Sequence, residues 1–104
     1  MQTYPKPDLN RITRLNHLAD NITELAAHLD AGTFQLLEMI GRFDEEEGWA
    51  GEGINSCAHW LSWKCGMNMG SARERVRVAR ALPSLPQISA AFREARVSYS
   101  KVRA

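Results

Sequence analysis

Only two cysteines occur in the 104 residues, Cys57 and Cys65, so no disulfide framework holds this chain together. Eight residues apart on a helix they stand about 12 Å from each other, beyond disulfide reach, and both are expected in the core. Histidine is as scarce. His59 is the one near the cysteines and points off their face, while His17 and His28 have no cysteine at ligand spacing, so no metal set of about four ligands assembles. The seven glycines form neither a dinucleotide fingerprint nor a phosphate loop. Apolar runs are only a few residues long, too short to span a bilayer, and the opening Met-Gln-Thr-Tyr-Pro-Lys-Pro-Asp lacks a signal sequence's apolar stretch. Ser62 and Cys57 have His59 close in sequence, but on a helix the three side chains diverge, so no nucleophile meets a base. No catalytic residue, cofactor or small-molecule substrate is expected, and the chain is expected in the cytoplasm.

What remains is 44% hydrophobic and 24% charged, enough for one modest core in a single domain over 1–104. The net charge of +1 hides an asymmetry. Residues 1–52 set Lys6, Arg11, Arg14 and Arg42 against ten acidic residues, a balance of −6. Residues 53–104 set nine basic residues against Glu74 and Glu94, a balance of +7. A basic half of that strength attracts polyanions, unless the two halves pair within the fold or the acidic helix masks the basic half.

The periodicity is helical throughout, and no strand pattern occurs. Asp8 or Asn10, just beyond Pro5 and Pro7, offers a cap for a long element over 8–47. Within it Leu15, Ile22, Leu29, Leu36 and Phe43 recur at a spacing of seven, with Leu18, Leu25 and Met39 between them and Ile12 and Ile40 widening the stripe. Gly32 occupies an intermediate position, so the element is one helix of about 35 residues or two that meet there. Its stripe is expected to serve as intramolecular core; a homodimer seam is the alternative. Glu45-Glu46-Glu47 and Gly48 end the element, because acidic groups oppose the dipole at a helix C-terminus. Trp49 suggests that the following linker packs.

Residues 54–104 predict a small basic bundle. Asn55 or Ser56 caps a helix that reaches Cys65, with Cys57, Trp60, Leu61 and Lys64/Cys65 on one face and Gly66 as its stop. Ser71 opens a second, with Ala72, Val76, Ala79 and Leu82/Pro83 inward. Pro83 and Pro86 break the chain before a third helix from Pro86 to about Arg96, with Ile88, Ala91, Phe92 and Ala95 inward. Ser98 or Ser100 caps a further helix start at the end of the sequence, which reads as part of a longer protein.

Helix, glycine turn, helix over 56–82 has the outline of a helix-turn-helix, although Arg75 falls where that motif wants an apolar residue. Its second helix carries Arg73, Arg77 and Arg80 on one stripe with Arg75 beside them. Planar guanidinium groups that donate in pairs suit phosphates and guanine edges, so these four are the candidate nucleic-acid contacts, and DNA the candidate partner. Trp60 and Trp63 are expected to pack rather than to stack on bases.

The block Cys57-Ala58-His59-Trp60-Leu61-Ser62-Trp63-Lys64-Cys65-Gly66 and the run Ala72-Arg73-Glu74-Arg75-Val76-Arg77-Val78-Ala79-Arg80-Ala81-Leu82-Pro83 resemble domain of unknown function 222. Gly48–Gly53, the closing Ser98–Ala104 and the upstream Leu25–Ala31 extend the resemblance over residues 20–104. It implies a helical region ahead of an HNH endonuclease module in a bacterial protein. This chain carries no His-Asn-His constellation, so no catalytic residue transfers. The expectation is an all-α, non-catalytic accessory domain that binds nucleic acid through its basic half. The alternative is a structural or oligomerisation module acting through the long helix.

Overall fold

The structure, a computed structural model, describes Lys6 and residues 8–104; Pro5 and Pro7 lie outside the described residues. Among the described residues five α-helices follow in order: α1 (Leu9–Glu45), α2 (Cys57–Cys65), α3 (Met69–Ala81), α4 (Pro86–Arg93) and the short α5 (Tyr99–Val102), with a 3₁₀ turn at Leu82–Ser84. No strand occurs among the described residues, in agreement with the all-α pattern.

Asp8 is the cap of α1, its carboxylate accepting from the Arg11 backbone N–H at 2.9 Å. The helix passes through Gly32 without a break. A Cβ there would meet nothing within 4 Å, so the glycine costs propensity and no packing. Thirty-seven residues make a rod about 55 Å long. Only its final third enters the body, through Phe34, Leu37 and Ile40; residues 9–26 are exposed on every side. The chain therefore extends 78 × 30 × 19 Å, with a radius of gyration of 20.4 Å against about 13 Å for a compact chain of this length.

This arrangement corrects the reading of the seven-residue stripe as internal core. Ile22, Leu25 and Leu29 are each about 60% exposed, and Leu15, Leu18, Leu36 and Met39 are also open to solvent. Phe43 alone of the repeat turns inward, its ring 4.5 Å from that of Trp60. The core face of α1 lies on another side of the helix, and the physical reason is space. α3 approaches α1 where Gly41 faces the Ala79 backbone; a Cβ there would stand 3.4 Å from the Ala79 carbonyl oxygen, so this side of α1 leaves α3 room that a long side chain would take.

Side-chain acceptors set the other helix starts. Ser56 Oγ accepts from the His59 N–H at 3.1 Å, and Gly66, at φ 66°, stops α2 in the left-handed region. Asn68 Oδ1 accepts from the Gly70 and Ser71 N–H groups, so α3 begins at Met69, two residues ahead of the expected Ser71. α4 ends at Arg93 rather than near Arg96. Arg96 N–H reaches back to the Ala91 carbonyl and Ala95 N–H to that of Phe92, which forces Ala95 to φ 60°. The same pair of bonds ends α1, where Glu47 at φ 52° is the left-handed residue and Gly48 N–H meets the Phe43 carbonyl at 2.9 Å.

The core is one cluster. Phe92 is fully buried against Phe34, edge to face at 5.6 Å between centroids. Leu37, Leu61, Ala72, Val76, Ala79 and Leu82 surround them, along with Val78, which lay off the expected inner stripe of α3. Ile88, expected inward, is exposed, and so are Cys65 and Trp63, because α2 buries only Cys57, Ala58 and Leu61. Phe92→Ala is expected to cost about 3–5 kcal/mol in urea unfolding. Ala95→Gly, which relieves a left-handed alanine, should instead raise stability by about 0.5–1 kcal/mol in the same measurement.

Candidate nucleic-acid interface

α2, the turn Gly66-Met67-Asn68 and α3 form two packed helices joined by three residues, the outline expected of a helix-turn-helix unit. Ala72, Val76 and Ala79 bury one stripe of α3, and 3.6-residue geometry then turns Arg73, Arg77 and Arg80 outward. The four arginines singled out in the sequence meet different surroundings.

Arg80 reaches the end of α1. Its Nε donates to Asp44 Oδ2 at 2.6 Å and its Nη2 to Oδ1 at 3.1 Å, a bidentate pair in which the carboxylate is nearly buried and the guanidinium is mostly open. Arg77 pairs with Glu74 one turn back and donates also to the carbonyl of Arg103, which ends α5. Arg75 is half-buried with its guanidinium 5.1 Å above the Tyr99 ring. Tyr99 Oη and Arg75 Nε are both buried without a hydrogen-bond partner. Arg73 is exposed and makes no ion pair among the described residues.

Arg73, Arg77 and Arg80 line an open groove of about 580 Å³ whose other wall is the start of α2, Ser56, Cys57 and Ala58. The groove therefore combines three guanidinium groups with the positive end of a helix dipole. Carboxylates pair with two of the three groove arginines, Glu74 with Arg77 and Asp44 with Arg80, and leave Arg73 as the groove's unpaired cation among the described residues. Among the described residues Asp44–Arg80 is the one ion pair that joins the acidic half to the basic half; Arg77–Glu74 and Arg96–Glu94 lie within the basic half.

Sequence reasoning foresaw the outward stripe but missed Asp44, because only the crossing of α1 over α3 brings residues 36 apart into contact. The first of the four consecutive carboxylates Asp44 to Glu47 is thus fixed in place. The hydrogen bonds from Arg80 hold the Asp44 carboxyl below the usual carboxylate range, against an opposing effect of burial. Burial, followed by the nearby Asp44 charge, pushes the Cys57 thiol up to about 11, which keeps it a neutral core group. The two cysteines are unbridged, and no group of three His, Cys, Asp or Glu side chains gathers into a metal site among the described residues.

A native carboxyl more acidic than its unfolded counterpart stabilises the fold above the unfolded pKa, and that contribution is lost as pH falls through the native value. The stability gap between the wild-type chain and Asp44→Asn should therefore be constant above about pH 5 and close below about pH 4. Urea midpoints across that range, followed by tryptophan fluorescence, provide the check.

No curated protein and no solved structure matches the chain. A family profile does, over residues 15–104, which takes in the exposed arm from Leu15 onward as well as the whole body. With the Trp-bearing α2, the Arg-rich α3 and the long helix all inside that match, the chain belongs to the family described as domain of unknown function DUF222.

Proposed function

We propose that this chain is a non-catalytic accessory domain that binds nucleic acid through the outward face of α3. The observation that carries the reading is the groove between the start of α2 and Arg73, Arg77 and Arg80. Arg73 has no competing carboxylate, and Arg77 and Arg80 remain more than half exposed although each is paired. A phosphate in this groove would meet guanidinium donors of α3 beside the positive end of the α2 dipole. Arg103, exposed and with its carbonyl against Arg77, extends the positive surface there. The resemblance to regions that precede HNH endonuclease modules extends the proposal: the domain would hold such a module on its substrate.

The arginines divide by role in this reading. Arg73 and Arg77 act on the ligand, whereas Arg80 first holds α1 to α3. Anisotropy titration against a random-sequence duplex should show affinity that falls steeply with salt, since each neutralised phosphate releases counterions. Arg73→Ala with Arg77→Ala should weaken binding at least about ten-fold and flatten the logarithmic salt slope by about two, with helicity retained. Arg80→Ala should lower stability as well as affinity. Unchanged binding by a folded Arg73/Arg77 double variant would overturn the assignment.

A further inference from the structure

The exposed arm of α1 presents a physical problem that the rest of the molecule does not solve. Residues 9–26 are exposed throughout, with no described element covering them, and helices in water are marginal when no packing supports them. The arm is nevertheless not a polar helix. Ile12, Leu15, Leu18, Ile22, Leu25 and Leu29 stand between 40% and 64% exposed along one side, and Leu36 and Met39 continue that side past the body. Together they make one contiguous apolar stripe of eight large side chains, unlike the singly scattered apolar residues usual on a monomer's surface, and such a stripe marks an interaction site.

We propose that this stripe is the seam of a homodimer in which the α1 arms of two copies pack antiparallel. Its spacing is that of a helix pair, with Leu15, Ile22 and Leu29 at one repeat position and Leu18 and Leu25 at the other. Ala19 and Ala26 flank these on one side, small enough for a second backbone to come close.

The order of charges selects the direction. Lys6, Arg11 and Arg14 outnumber Asp8 at the start of the arm, whereas Asp20, Glu24 and Asp30 follow with no basic residue between them. Antiparallel arms set the basic end of each copy towards the acidic stretch of the other, and oppose the two helix dipoles; parallel arms would set like beside like. Antiparallel pairing also carries the two bundles to opposite ends of the seam, which leaves both α3 faces open.

Sedimentation of the chain across the micromolar range tests the seam. The expected result is a concentration-dependent dimer whose thermal midpoint rises with concentration. Ile22→Glu and, separately, Leu18→Glu place two charges in the symmetric seam and should weaken association about a hundred-fold or more, while tryptophan fluorescence shows the body still folded. A wild-type monomer throughout the range, or a dimer that both variants leave intact, would overturn the proposal. Direction is read from spin labels at Arg14→Cys on a Cys65→Ser background. Antiparallel arms centred near Ile22 separate the labels by more than about 20 Å, at 1.5 Å per residue along each helix. Labels at roughly the 8–10 Å of an interhelical contact would overturn the antiparallel arrangement.

Discussion

The body of this protein is organised by the place where α1 crosses α3. Gly41 puts no long side chain between the helices, the Ala79 backbone comes up beside it, and Asp44 and Arg80 close over the contact with two hydrogen bonds. Because the Asp44 carboxylate is nearly buried, the pair is not an ordinary surface ion pair, whose contribution is small. To remove Arg80 would leave the nearly buried Asp44 carboxylate without its counterion, whereas to remove Asp44 leaves a guanidinium that is mostly in solvent. The contact ties a helix from the acidic half to one from the basic half, and α2 and α4 pack around it with Leu37, Leu61 and Phe92 between them. That anchorage leaves the first half of α1 projecting.

The same crossing shapes the candidate interface. Arginines on one helix stripe look equivalent in sequence, yet the fold makes them unequal. Arg80 is tied to α1, Arg75 to Tyr99, and Arg77 to Glu74 and the end of α5. Each contact orients a guanidinium, and none covers the outward face of α3. The pairing also shows why a net charge of +1 says so little here: most acidic groups of the first half lie along α1, away from the groove.

The long helix shows how far periodicity carries and where it stops. A strict spacing of seven is visible at five positions, and it dominates the weaker set Phe34, Leu37 and Gly41 that interleaves with it. Those residues were legible as apolar or small, and two large apolar positions off the seam, beside Ile40 at its margin, are a signal that the helix has a second buried face. Which face packs inside one chain cannot follow from periodicity, because both satisfy it. Similarly, Cys57 and Cys65 share helical spacing, but α2 is so short that its last turn runs past the core.

The sequence by itself determined the helices, most of their ends and the outward arginines, since caps, glycine stops, proline breaks and stripe spacing act over four residues or fewer. It also determined the charge of each half and the presence of a leucine stripe. Tertiary structure decided which stripe of α1 became core, which carboxylate met Arg80, and where α4 stopped. These outcomes depend on contacts between residues far apart in the chain and on how closely two helices approach, a matter of volume at Gly41 and Ala79 that no local pattern records.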